Sequence, residues 1–174
     1  GDIIFTGSHN GKIYALDLNC GCILWDFKVD AEVRSAISFD TDEDGNATRL
    51  YFADFAGNVY GFDIASRQIL WKIRADSHPI ATITGSLRLH EDTLYVPVSS
   101  LEVVSANNPE YECCTFRGSL LALDKMTGKE RWRTYTTDEP ILQGINSAGA
   151  IIYGPSGAPI WSSPTVDTKR GLLY

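Results

Sequence analysis

The sequence predicts an all-β fold, and three observations predict it. One pattern recurs three times, its β-prone runs are short and bounded by turn residues, and no helical period lasts ten residues. The copies are Gly11-Lys12-Ile13-Tyr14-Ala15-Leu16-Asp17, Gly57-Asn58-Val59-Tyr60-Gly61-Phe62-Asp63 and Gly118-Ser119-Leu120-Leu121-Ala122-Leu123-Asp124. In each, a tryptophan follows the aspartate by eight residues, at Trp25, Trp71 and Trp132. Four short antiparallel strands per roughly 40–50 residues is the signature of a β-propeller blade.

The strands can be placed in order. The innermost of each blade is expected at Ser35–Phe39, Ile83–Leu89 and Ser163–Val166. The second strands are Ile3–Thr6, Leu50–Ala53, Thr93–Val98 and Leu172–Tyr174, all β-branched or aromatic runs. The third strands end at Asp17, Asp63 and Asp124, and the outer ones hold Trp25, Trp71 and Trp132. Asn19-Cys20-Gly21 and Thr127-Gly128 supply turn chemistry between the third and outer strands. A tryptophan repeated at this phase reads as packing, a plug between adjacent blades.

Residues 1–174 are thus expected to form one partial propeller domain, with blade ends near Phe27, Arg74 and Tyr135. That is about three of an expected eight blades. A propeller must close to hide its sheet edges, so this stretch needs the rest of a ring. Ile3-Ile4-Phe5 lacks the basic flank of a signal peptide, and Gly171-Leu172-Leu173-Tyr174 reads as a strand beginning. Both ends are expected to be cuts in a longer protein.

Composition narrows the function classes. A net charge of −7 and a pI near 4.9 argue against a nucleic-acid partner, which wants a basic face. No apolar run approaches the roughly 20 residues of a membrane helix.

The third copy lies 61 residues beyond the second at its tryptophan, against 46 between the first two. The excess falls in an inserted loop, 99–115, between second and third strands. Loops there open on the same end of a propeller as the blade-to-blade connections, where pockets form. The insertion closes on Glu112-Cys113-Cys114-Thr115-Phe116-Arg117-Gly118. Two readings of Cys113 and Cys114 are open: free buried thiols, or a vicinal disulfide. Consecutive trans Cα atoms sit about 3.8 Å apart, below the usual disulfide range. Such a bond closes almost no loop, and strained features of this kind survive where they serve a site. A pair at the pocket end of the one long loop favours the disulfide.

Ala122 to Trp132, Ala-Leu-Asp-x-x-Thr-Gly-Lys-x-x-Trp, resembles the tryptophan-docking motif of pyrroloquinoline quinone (PQQ) type propellers, and the likeness extends over essentially the whole chain. Cys113, Cys114, Arg117 and Gly118 resemble the Cys-Cys pair and following Arg-Gly of the quinoprotein alcohol dehydrogenases. The resemblance implies a disulfide ring laid flat against the PQQ plane, with Arg117 meeting the cofactor's carboxylates. Arg117 as a surface residue of its strand is the other reading. The methanol dehydrogenase branch has two more residues between the cysteines and the arginine. Cys-Cys-Thr-Phe-Arg-Gly-Ser, with Gly154 to Ala158 and Ile160 to Thr165 downstream, is more similar to the polyvinyl alcohol dehydrogenase branch.

Ser156-Gly157-Ala158 is similar to a Ser-Gly-Ala-Glu run whose Glu binds calcium in related enzymes. Pro159 stands in the place of that Glu, and the run precedes an innermost strand where the family's motif follows a second strand. Calcium ligands and the catalytic base are therefore expected beyond Tyr174. In the connection from Ser156 to Ser163, Ser162 and Ser163 offer hydroxyls to the cofactor rim, and Trp161 lines the pocket or packs beneath it.

Other residues carry blander readings. Glu102, heading the insertion, reads as a solvated loop carboxylate or a contact to cofactor or substrate, and Asp54 in the preceding blade shares the ambiguity. Asp40, Asp42 and Asp44 open like a calcium loop, but position twelve is Tyr51 rather than Glu, so an acidic hairpin turn is the default. Asn46-Ala47-Thr48 matches a glycosylation sequon. Cys20 and Cys22 lack the following His of a haem attachment and read as packing or unpaired. His9, His78 and His90 have no carboxylate or cysteine at ligand spacing, which argues against zinc or triad chemistry.

The resemblance implies a PQQ- and calcium-dependent alcohol dehydrogenase passing electrons to cytochrome c. A vicinal disulfide needs an oxidising compartment such as the bacterial periplasm. The rival is a non-catalytic propeller scaffold for protein–protein interaction, which needs the tryptophans but not Cys-Cys-x-x-Arg-Gly.

Overall fold

Each copy of the repeat folds as an antiparallel meander. The structure, a computed structural model, describes residues 2–174. The first sheet holds β1 (Ile3–Gly7), β2 (Lys12–Asp17) and β3 (Ile23–Lys28). The second holds β4 (Ser38–Thr41), β5 (Ala47–Ala53), β6 (Asn58–Asp63) and β7 (Gln68–Arg74). The third holds β8 (Ala81–Thr82), β9 (Arg88–His90), β10 (Thr93–Ser100), β11 (Ser119–Asp124) and β12 (Glu130–Tyr135), with α1 (Glu102–Ser105) between β10 and β11. Two hairpins follow, β13 (Ile141–Ile145) with β14 (Ile151–Gly154) and β15 (Val166–Asp167) with β16 (Leu172–Leu173). Strand order follows chain order in the second sheet, the up-and-down arrangement of a propeller blade. No helix among the described residues is long and apolar enough to cross a membrane.

The repeat residues make these elements for local reasons. Each repeat aspartate accepts backbone N–H groups from the turn it opens: Asp17 from Asn19 and Cys20, Asp63 from Ser66, Asp124 from Met126 and Thr127. Each tryptophan faces a small residue across the strand pair, Ala15 for Trp25, Gly61 for Trp71 and Ala122 for Trp132. A register shift follows at that same point in all three copies, a bulge that re-aims the outer strand.

The apolar core lies between neighbouring sheets. In β5, Leu50 and Phe52 join the cluster shared with the first sheet, while Tyr51 and Ala53 join the one shared with the third. That alternation is the two-residue period of a strand buried on both faces. Phe27 stacks on Phe62 across the first interface with ring centroids 4.0 Å apart.

The structure corrects three expectations. The innermost strands begin later or are broken: β4 starts at Ser38, the third blade's inner strand is split into β8 and β9, and β15 starts at Val166. The residues skipped bond sideways instead, to the next blade. The Ala36 N–H donates to Ser86 Oγ at 2.8 Å, and the Ser86 N–H donates to Ser163 Oγ at 2.9 Å. Second, the β13–β14 hairpin adds a strand pair in a stretch to which the repeat pattern assigns no element. Third, Cys20 and Cys22 are joined as a disulfide, leaving no free cysteine among the described residues.

Candidate functional site

The site is assembled by the insertion after β10. Ser100 Oγ accepts the Glu102 N–H at 2.9 Å and starts α1. The chain then runs out to Cys113 and Cys114, which form a disulfide. The peptide between them is cis, which brings their Cα atoms to 3.0 Å. The vicinal reading of the pair is the correct one.

Both cysteines are fastened to β14. The Cys113 N–H donates to the Ile151 carbonyl at 3.1 Å, the Tyr153 N–H returns to the Cys113 carbonyl at 2.7 Å, and the Cys114 N–H reaches the Tyr153 carbonyl at 3.4 Å. The unforeseen hairpin is therefore part of the site. Its signal was in the sequence: two apolar runs flanking Asn146-Ser147-Ala148-Gly149.

The next residues are held from the other side. Glu102 is 3 % exposed, and its two carboxylate oxygens accept the N–H groups of Thr115 and Phe116, each at 2.9 Å. Tyr111 Oη stands 3.4 Å from Glu102 Oε1, and burial together with that carboxylate pushes its phenol pKa up. His78 Nε2 lies 3.2 Å from Thr115 Oγ1 and 3.5 Å from Glu102 Oε1. Glu102 is thus a buried structural carboxylate, which corrects its reading as a solvated loop residue. His78 is brought to it from 24 residues upstream, and no spacing in the sequence signals that.

Arg117 turns toward the outer strand. Its Nε and Nη2 donate to the Thr137 carbonyl at 3.2 and 2.8 Å, and its guanidinium lies 3.8 Å over the Tyr135 ring. With Asp76, Ser77, His78, Thr115, Phe116 and Tyr135 it lines a small polar cleft. Gly118 is required by packing, since a Cβ there would run into the Ala158 carbonyl oxygen as the 157–158 segment crosses. The Gly118 N–H donates to the Gly157 carbonyl at 2.7 Å in that crossing.

The remaining candidates lie apart. Ser163 Oγ is occupied by the Ser86 N–H, and Ser162 packs its backbone against Gly85. No hydrogen bond joins either serine to residues 113–117 among the described residues. Trp161 is exposed. Asp54 is fully buried and accepts from the Asn58 N–H, Asn58 Nδ2 and Tyr60 Oη, so it caps the β5–β6 turn. Asp40, Asp42 and Asp44 do not converge on a metal position. Asp40 pairs with Lys125 Nζ at 2.9 Å, and Asp42 accepts the N–H groups of Asp44 and Asn46. No group of three or more His, Cys, Asp or Glu able to hold a metal occurs among the described residues.

Chemically, the arrangement offers a small sulfur ring on a backbone with its amides fixed, and a cation four residues from the first cysteine. Those features suit a flat ligand with an anionic edge.

Several known proteins resemble this chain. Residues 1–110 match the PQQ_2 family model, described as outer membrane protein assembly factor BamB. A polyvinylalcohol dehydrogenase of Pseudomonas sp is 40% identical over 177 residues, covering 100% of this chain and 28% of that protein. The quinohemoprotein alcohol dehydrogenase ADH-IIG of Pseudomonas putida is 28% identical, covering 98% of this chain and 25% of that protein. The solved quinohemoprotein alcohol dehydrogenase ADHIIG of Pseudomonas putida HK5 superimposes with a TM-score of 0.69 at 21% identity, over 99% of this chain and 26% of that one. At that identity the superposition speaks for the fold alone. The chain spans about a quarter of the length of these relatives.

Proposed function

This chain belongs to the family of PQQ-type β-propeller proteins, and from that premise we propose that it forms part of a dehydrogenase oxidising an alcohol with PQQ. The observation that carries the reading is the Cys113–Cys114 disulfide, held between β14 and the Glu102 carboxylate. A propeller blade needs no such ring, whereas a planar cofactor needs a hard, flat surface that excludes water.

When bound, PQQ would supply a hydride acceptor for the alcohol carbon and calcium would supply charge that polarises it. The chain's own residues bind and orient. Cys113 and Cys114 form the floor. Arg117 keeps Nε and Nη2 on Thr137 and turns Nη1, which has no partner among the described residues, to an anionic edge. Ser162, exposed beside the inner strands, offers its hydroxyl at the rim, and Ser163 does so while holding the Ser86 amide. The calcium ligands and the base that takes the alcohol proton would come from parts of the full-length enzyme that this chain does not cover. The substrate is polyvinyl alcohol or a secondary alcohol, electrons leave to a cytochrome c, and the disulfide suits a periplasmic enzyme. At 40% identity the polyvinylalcohol dehydrogenase of Pseudomonas sp supports that substrate class.

A second reading, a protein–protein interaction scaffold, draws on the family model described as outer membrane protein assembly factor BamB. That match ends at residue 110, before the cysteine pair, so it does not account for the disulfide. The test is to reconstitute the full-length protein with PQQ and calcium and follow dye reduction with a secondary alcohol. Alcohol-dependent turnover is expected. None, with or without calcium, favours the scaffold.

A further inference from the structure

We propose that Glu102 is the positioning residue of the Cys113–Cys114 ring, clamping through its carboxylate the two amides that follow the disulfide. The clamp itself is independent of the bound cofactor, but its service to a quinone rests on the function proposed above.

Amides along the reactive stretch have defined acceptors: Cys113 and Cys114 on β14 carbonyls, Thr115 and Phe116 on Glu102, Gly118 on Gly157. The β14 bonds hold the ring on one side only. Without Glu102, the next two amides would face a buried space with no acceptor, and the ring could pivot about its hairpin contact. An ionised carboxylate is a strong acceptor for consecutive backbone N–H groups, and a buried charge persists only where such partners meet it.

Glu102 is also placed to act as a hinge stop. It sits two residues past the end of β10, where Ser99 and Ser100 pair with β8, so its backbone is anchored at the edge of the blade. Its side chain thus ties a 13-residue excursion back to the strand from which it left. Phe116, whose amide it holds, is 1 % exposed in the core between the second and third sheets. His78 closes the arrangement from the connection between the second and third sheets, 3.2 Å from Thr115 Oγ1 and edge-on to Phe116 at 5.6 Å. The ring's attitude is therefore referred to the third blade and that connection rather than to the loop.

The protein contains an internal reference, the exposed Cys20–Cys22 disulfide in the turn after β2. In the full-length protein, reduction by a water-soluble phosphine followed by alkylation and mass spectrometry reads both pairs separately. Glu102→Ala is expected to speed reduction of Cys113–Cys114 about tenfold or more, since two charge-assisted bonds are lost. Glu102→Gln, with one carbonyl acceptor left, is expected to restore part of the protection. The Cys20–Cys22 rate stays the same in all three proteins. Equal rates at Cys113–Cys114 in all three, or equal acceleration of both pairs, would overturn the clamp. If Glu102→Ala does not fold, amide exchange in the unmutated protein decides. Thr115 and Phe116 should exchange at least about tenfold more slowly than the exposed 106–110 segment, and matching rates would refute the proposal. Neither readout contains a quinone, so an absence of PQQ binding would sink the proposed function and leave the clamp standing.

Discussion

The indole N–H of Trp71 donates to the carbonyl of Lys125, 3.0 Å away in the turn of the next blade. Gly128, in that same turn, lies against the indole face, and a Cβ there would stand 2.5 Å from Trp71 Cε3. The repeat thus works between blades here: the Asp124-x-x-Thr127-Gly128 turn of the third copy is the socket for Trp71 of the second. Trp132 packs on Tyr95 of its own blade and stays 42 % exposed.

Gly128→Ala should therefore weaken the interface between the second and third sheets. The residue sits at φ +69°, and its new methyl group meets the indole. Overpacking and left-handed strain together predict a loss of about 1–3 kcal/mol. Thermal unfolding of the full-length protein, with the exposed Gly45→Ala as control for left-handed strain alone, measures the packing part as the difference.

The socket also predicts an acid limit. Hydrogen bonding from Arg131, then from Thr127, holds the Asp124 carboxyl at about 2, below its ordinary value of 3.8. Its folded value is the lower one, so its stabilisation is present above about pH 4 and is lost as pH falls toward 2. Asp124→Asn should flatten the pH dependence of stability across that window. An unchanged slope would mean the turn aspartate does not couple to folding.

Arg117 combines a fork on the Thr137 carbonyl with stacking on Tyr135. Lysine can supply neither the fork nor the planar stack, so Arg117→Lys should cost about 1–2 kcal/mol of stability. The proposed contact of Nη1 with an anionic cofactor further predicts a rise in the Kd for PQQ of about tenfold, read by equilibrium titration. A stability loss with unchanged affinity would make Arg117 purely structural.

Much of the blade architecture was legible because its causes are local. Asp17, Asp63 and Asp124 cap their own turns, and Ala15, Gly61 and Ala122 leave room for the tryptophan opposite, so spacing alone reveals them. The innermost strands were harder. Ala36 and Ser86 bond to serines some 50 and 77 residues away, and a strand period does not distinguish pairing within a blade from bonding to the next. The cysteine pair was legible from adjacency. Its supports were not: Glu102 and His78 come from outside the motif, and β14 is fixed through backbone groups that leave no trace in side-chain identity. Cys20 and Cys22 were misread because Gly21 between them suggested only a turn, yet that turn at φ +65° lets the two sulfurs meet.

In the proposed function the Cys113–Cys114 ring is the floor on which PQQ lies. Equilibrium titration of PQQ into the full-length apoprotein, in the presence of calcium, tests it in the wild type and in the Cys113→Ser/Cys114→Ser double variant. The account predicts saturable binding by the wild type and a Kd at least about tenfold weaker in the variant, with the unfolding midpoint little changed. Equal affinity in the two proteins, or no binding by either, would contradict it.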